Sequence, residues 1–326
     1  MRNTNQLALS TPNRQPQFLK NSKINLSDCS KFLQFLVFKN GPDPEDFEAS
    51  NQVIFKLVQA AEKGEVTLDE INCIRAIFGE VLSTKALFGF VLKKPHGYAG
   101  DYEIIDKIYT RYESSDFRFT KWDHYFQEQL AVEAVRNRAE YFYHLLSKKL
   151  AANSSQPKPL SVLNLASGPG RDMLHFFETN PVAKIHIDCI EQDQDAITYA
   201  SKICEKHLSK ISFYKKNALR ISTEKKYDLI WSAGLFDYFE DKIFITLLKR
   251  LKQIAAPNGE LVIGNFSDSN PNKNFQDFCE WHLHHRSPSA LTLLAHAAGF
   301  QADQIQVNKE PLGINLFLHL QGARNA

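Results

Sequence analysis

The sequence predicts an α/β protein in two parts. An all-helical N-terminal domain precedes an open sheet of five parallel strands that closes with a C-terminal antiparallel hairpin. Three observations carry this. Apolar residues keep helical spacing up to a small, polar, proline-containing run at residues 151–159 (AANSSQPKP). Beyond it, short strand-like runs alternate with helical ones. Finally, only residues 308–313 separate the last two strand-like runs. That gap is too short for a helical crossover, so those two strands must pair as a hairpin.

In order along the chain, residues 1–25 are polar, carry Pro12 and Pro16, and lack the apolar core of a secretory signal; a disordered tail is expected. Val53, Ile54, Leu57, Val58 and Ala61 recur at helical spacing until Gly64 stops them. Thr67 and Glu70 have the spacing of a capping box and open a helix through Ile71, Ile74, Ile77 and Val81. A long helix is expected over 122–150, through Leu130, Val132, Val135, Tyr141, Phe142 and Leu145. The helical domain thus spans 26–155 and the sheet domain 156–326.

In the second part, strands are expected at 161–167, 184–191, 211–215, 227–232 and 260–266. Helices are expected at 171–178, 193–208 and 242–255, the last stopped by Pro257, Asn258 and Gly259. A helix over 291–298 ends at Gly299 and is followed by the hairpin strands 304–307 and 314–320.

Composition narrows the function classes. Among 326 residues, 39 Lys and Arg balance 37 Asp and Glu, a net charge of +2 that gives no reason to expect a nucleic acid or an anionic membrane as partner. No run reaches the ~18 apolar residues of a membrane span. The five cysteines form no C-x-x-C pair and no zinc spacing, which suits reduced thiols in a cytoplasmic protein. His282, His284 and His285, read as lying on one helix, would point their rings apart and have no accompanying carboxylate pair. No metal is expected.

A ligand of an open α/β sheet sits beyond the carboxyl ends of the strands, where strand order reverses. The first such loop runs from Asn164 to Asp172, with Gly168 and Gly170 allowing close backbone approach. A dinucleotide fingerprint needs a third glycine at 173, where Met173 stands. Glu191 ends the second strand, where a carboxylate can accept both ribose hydroxyls. Asn217 follows the third strand, and an amide oxygen there can accept an adenine amino group. The fourth strand ends in Ser232, Gly234, Asp237 and Tyr238. A tight βα turn, a solvated strand-end acid and core aromatics are the bland alternatives.

Five parallel strands, a terminal hairpin and this series of strand-end residues resemble the Rossmann-like fold of class I S-adenosylmethionine-dependent methyltransferases. The resemblance implies S-adenosyl-L-methionine as cofactor, held by Ala166, Gly168, Gly170, Glu191, Asn217, Ser232 and Gly234. Asp237 and Tyr238 would lie near the methyl group. Asn164 and Ala166 depart from the acid and first glycine usual in that loop.

Two further segments narrow the resemblance: Gly97-Tyr-Ala-Gly-Asp-Tyr102, and Gly264-Asn-Phe266 followed by Asn270-Pro271 and Trp281-x-Leu283-x-x-Arg286. With Ala134-Val-Arg136-Asn-Arg138, they resemble bacterial proteins of the 3-hydroxypalmitic acid methyl ester synthase type. That implies a helical lid whose Tyr98, Asp101 and Tyr102 cover the reacting groups as catalytic candidates; the plain alternative is that Gly97 and Gly100 make turns and Asp101 caps a helix beginning near Tyr102. Arg136 or Arg138 would reach the methionine carboxylate, Arg138 being the one assigned to the cofactor, and Trp281 and Arg286 would hold the acceptor. Each arginine also suits a plain salt bridge. The implied reaction is O-methylation of a small hydroxylated or fatty carboxylic acid. The altered loop keeps open a cofactor-binding sensor without transfer activity. An N-methyltransferase or an RNA or protein methyltransferase is the weaker alternative, the latter disfavoured by the near-neutral charge and by the lack of an Asn-Pro-Pro-aromatic motif.

Overall fold

The computed structural model describes residues 24–154 and 156–322; the tail expected over 1–25 lies, up to residue 23, outside them. The helical part holds α1 (Leu26–Phe38), α2 (Phe47–Glu62), α3 (Leu68–Ala76), α4 (Leu87–Lys93), α5 (Tyr102–Tyr109), α6 (Phe117–Gln127) and α7 (Leu130–Ala152). Caps explain several starts. Asn25 accepts from the Ser27 and Asp28 N–H groups, and Thr67 and Glu70 form the expected box at α3.

The single helix expected over 122–150 is two helices. Gln129 is extended at the break. Its amide donates to the Tyr125 carbonyl and accepts from Asn272, while Gln127 donates to the Lys107 and Tyr112 carbonyls. Such buried tertiary partners are invisible to periodicity. α7 ends at Ala152, two residues into the expected boundary run, and serves both parts of the chain. Ala131, Val132, Ala134 and Val135 belong to the helical core, whereas Phe142, Leu145 and Leu146 pack on the sheet. In return, Phe266, Phe275, Phe278 and Trp281 from the far end of the chain complete the helical core.

The sheet comprises β1 (Leu160–Leu165), β2 (Ile185–Glu191), β3 (Ile211–Lys215), β4 (Tyr227–Ser232), β5 (Ala255–Phe266), β6 (Ile305–Lys309) and β7 (Asn315–Gln321). Their order is β3-β2-β1-β4-β5-β7-β6. The first five are parallel, and β7 runs antiparallel between β5 and β6, as the short connection required. Helices α8 (Arg171–Thr179), α9 (Gln194–Ile203), α10 (Asp241–Ile254), α11 (Lys273–Phe278) and α12 (Pro288–Ala297) complete the fold. α11 has no counterpart in the sequence reading. The α7–α8 side of the sheet and the α10–α12 side each carry their own apolar core, which is why the central strands read as continuous apolar runs. Strand order reverses between β1 and β4, and that is where a ligand site belongs. Among the described residues, no helix is long and apolar enough to cross a membrane.

One polar cluster sits inside this frame. Glu260 accepts from His319 at 2.7 Å and pairs with Lys149 at 2.7 Å, and the Tyr141 hydroxyl meets the other nitrogen of His319 at 2.6 Å. Burial pushes the Glu260 carboxyl upward, but the His319 and Lys149 hydrogen bonds outweigh it and hold the group down at about 2. A carboxyl lowered on folding contributes stability above its unfolded value of 4.5, and that contribution fades as pH falls toward 2. Glu260→Gln is expected to cost about 3 kcal/mol at pH 7. Urea unfolding of both proteins at pH 7, 5 and 3 checks this: the gap must narrow at the lowest pH.

Candidate active site

At the switch point lies a cavity of about 410 Å³. Its floor is the β1 loop, with Asn164, Ala166, Ser167, Gly168, Pro169 and Asp172. The β2 end adds Ile190, Glu191 and Gln192, and the β3 end adds Lys216, Asn217, Ala218 and Leu219. The β4 end supplies Ala233, Gly234, Leu235, Asp237, Tyr238 and Phe239, with Phe266, Trp281 and Leu283 beyond. From the helical part come Tyr98, Ala99, Gly100, Tyr102, Ile105, Tyr109 and Arg138. Most of the residues singled out from the sequence therefore meet here, and four do not.

In the β1 loop, Ala166 adopts φ 53°, the left-handed conformation, and donates to the Ile190 carbonyl at 2.8 Å. A non-glycine residue there costs roughly 1–2 kcal/mol, which explains why a glycine is the usual occupant and alanine a tolerable one. Glu191 is buried. One carboxylate oxygen accepts from the Gly168 N–H at 3.1 Å, and the other accepts from Gln192 and Asp193 at 2.8 and 3.1 Å. The strand end thus holds this acid rigidly against the cavity. Asn217 lines the wall, and its side-chain oxygen accepts from the Leu219 N–H at 2.8 Å, capping a short 3₁₀ turn.

Gly170 and Ser232 are corrections. Gly170 opens α8 facing away from the cavity, and a Cβ there would stand 3.2 Å from Ala200 Cβ and from Met173 Cε. It serves helix packing. Ser232 is fully buried and donates to the Leu165 carbonyl at 3.3 Å, so the wall begins one residue later.

Arg138 enters from α7 and is 6% exposed. Its Nε is buried and has no hydrogen-bond partner among the described residues. A Cβ at Gly234 would lie 2.6 Å from its Nη1, so glycine at 234 is what lets the guanidinium reach the cavity. Two carboxyls share its field. Burial raises Asp172 to about 6 against the pull of the Met173 N–H and Arg138. Burial likewise raises Asp237 to about 6 against the Phe266 N–H, which donates to it at 2.6 Å, and Arg138. Tyr109 is pushed up to about 12 by burial, although Arg138 opposes it. Arg136, the other candidate, is spent on Glu133 and Gln127.

The roof is tied down at three points. Tyr98 donates to Asp193 at 2.9 Å, Tyr238 donates to the Ala99 carbonyl at 2.9 Å, and the Trp281 indole donates to the Tyr238 hydroxyl at 2.8 Å. Gly100 has φ 68°, and a Cβ there would meet the Tyr238 hydroxyl at 2.4 Å. This close approach explains the second glycine of the Gly-Tyr-Ala-Gly-Asp-Tyr segment. The Tyr102 ring lies 4.6 Å from His96 and 5.5 Å from Tyr199 between centroids.

Asp101 is not on the wall. It is buried, and it caps α5 by accepting from Glu103 and Ile104 at 2.9 and 3.0 Å. Arg286 is not free to hold an acceptor. It donates to Asn265 at 2.8 Å, to the Phe236 and Phe239 carbonyls, and to Asp241 at 3.0 Å, pinning the β4 loop to β5. The Gly-Asn-Phe and Trp-to-Arg segments therefore build the wall, and only Phe266, Trp281 and Leu283 face the cavity. His282, His284 and His285 lie on an irregular segment rather than a helix, with His282 on Asp277 and His285 on Gln276.

The sequence reading missed Ile105, Tyr109 and Asp172. The first two follow Tyr102 at helical spacing on α5, and Asp172 stands in the first turn after the glycine loop; both signals were present.

Residues 162–259 match the family model described as a methyltransferase domain. No curated protein matches the chain. Among solved structures, it is similar to a possible exported protein from Bordetella parapertussis, at 16% identity and a TM-score of 0.57, over 91% of this chain and 95% of that one. The S-adenosylmethionine-dependent methyltransferase SibL in its apo form aligns over 92% of this chain and 95% of its own, at 13% identity and a TM-score of 0.46. The N-methyltransferase NodS from Bradyrhizobium japonicum, in complex with S-adenosyl-L-homocysteine, aligns over 56% and 87%, at 19% identity and a TM-score of 0.40. The family match runs from β1 into β5, across the strands whose ends build the cavity. The chain carries a class I S-adenosylmethionine-dependent methyltransferase domain and is a methyl-transferring enzyme.

Proposed function

We propose that this enzyme methylates an oxygen of a small organic acid, of the hydroxylated or fatty type, to give a methyl ester. On this reading Glu191 takes the ribose hydroxyls, Asn217 faces the adenine and Arg138 uses its partnerless Nε for the methionine carboxylate. When bound, S-adenosylmethionine supplies a sulfonium methyl for in-line displacement. The observation that supports an acid acceptor is the β4–β5 end of the cavity. Its wall is apolar, with Leu235, Phe239, Phe266, Trp281 and Leu283, and its one titratable acid, Asp237, is engaged by the Phe266 N–H. No strong base stands there among the described residues. A carboxylate needs none, because with a pKa near ~4.3 it is already ionised at neutral pH. Tyr98, Tyr102 and Tyr238 then act by excluding water and fixing the acceptor, where alignment supplies most of the rate.

The test uses S-adenosylmethionine carrying a labelled methyl and a set of hydroxy and fatty acids. Base treatment must release the label as methanol, which an ether or an N-methyl group does not. With an acid acceptor, kcat/KM is expected to stay flat from about pH 6.5 to 9, and Asp237→Asn to retain activity within tenfold. A tenfold fall per pH unit below about 6, abolished in Asp237→Asn, would instead make Asp237 a general base for an alcohol. Tight product binding with no transfer to any acid would favour the sensor reading.

A further inference from the structure

Behind Trp281, the helical layer holds a second, smaller void of about 20 Å³, lined chiefly by Val91, Ile108, Phe126, Val132, Val135 and Phe275. Trp281 borders both this void and the 410 Å³ cavity. Its indole is buried and held in place by the Tyr238 hydroxyl, itself anchored on the Ala99 carbonyl. Close-packed interiors hold few voids, and an apolar one of this size stays dry. Trp281 is the one lining residue that this void and the ligand cavity share.

We propose that Trp281 is a specificity-determining residue that limits the length of the acceptor's apolar tail. The tail runs along the apolar wall of Phe239, Phe266 and Leu283 and stops against the indole face. The void marks the path a longer tail takes once the indole is removed. This inference rests on the reading of the cavity as an apolar acceptor site, but not on the acceptor being an acid.

The experiment measures binding of two homologous series, linear carboxylic acids and n-alkanols, to the full chain saturated with S-adenosylhomocysteine. In the wild type, affinity is expected to rise about fourfold per methylene up to a limiting length and then stop. Trp281→Ala and the milder Trp281→Leu extend that limit by at least two methylenes in both series. Val132→Leu, which fills the void, leaves the wild-type limit unchanged but removes part of the gain when combined with Trp281→Ala. The proposal is overturned if both Trp281 variants fold, bind S-adenosylhomocysteine normally and keep the wild-type limit. It is also overturned if Val132→Leu alone shortens the limit, or if the wild type binds neither series. Failure of the acid reading looks different: the alkanols show the limit and its shift while no acid is methylated.

Discussion

Arg138→Ala is expected to weaken S-adenosylhomocysteine binding roughly 10- to 100-fold, the value of a charge-assisted hydrogen bond of about 1.5–3 kcal/mol. The guanidinium is buried, passes Gly234 with no room to spare, and presents an Nε that no group among the described residues uses. Calorimetry with two ligands isolates the effect. Methylthioadenosine keeps the nucleoside but lacks the amino-acid end, so its affinity should match that of the wild type. Arg138→Lys should recover only part of the loss, because an ammonium restores charge without the planar fork. Stability should fall as well, since Asp172 and Asp237 would be left buried without their shared cation. Equal S-adenosylhomocysteine affinity in wild type and Arg138→Ala would remove this arginine from the cofactor site.

Glu191→Ala should behave differently, lowering the affinity for both ligands by about 100-fold, as expected for two hydrogen bonds to an ionised acceptor. The carboxylate also accepts from the Gly168, Gln192 and Asp193 N–H groups, so truncation frees three backbone donors. Glu191→Gln separates the two roles. An amide of the same shape keeps one acceptor oxygen for the Gln192 and Asp193 N–H groups but sets its NH2 against the Gly168 N–H and has no charge. An intermediate loss of affinity is expected, with a smaller fall in unfolding temperature than in Glu191→Ala. If methylthioadenosine binding is unchanged in Glu191→Ala, the ribose assignment fails.

The two predictions rest on residues that differ in how legible they were. Glu191 could be read from spacing alone, because a strand of fixed length following a βα unit of ordinary size carries its last residue to the sheet edge. Arg138 was singled out through a family resemblance and lines the cavity, whereas Arg286 and Asp101, singled out the same way, do not. Side-chain type does not reveal direction. Arg286 lies close in the chain to Trp281, yet one faces the cavity while the other is consumed by carbonyls and Asp241. Asp101 sits between two wall residues, yet its carboxylate is committed to the first turn of α5.

Local periodicity and connection length by themselves determined the alternation of strands and helices, the parallel sheet, the terminal hairpin and the loops in which a ligand would sit. These follow from steric and hydrogen-bonding rules that act over a few residues. Tertiary structure alone decided the rest. It broke the helix at Gln129, drew Phe266 to Trp281 into the helical core, and brought Tyr109, Arg138, Asp172 and Asp237 around one cavity. Those outcomes depend on burial and on charges meeting across long stretches of chain, where no sequence period operates. The helical layer is therefore a wall of the site as well as its cover, because Arg138, which lines the cavity, arrives on α7.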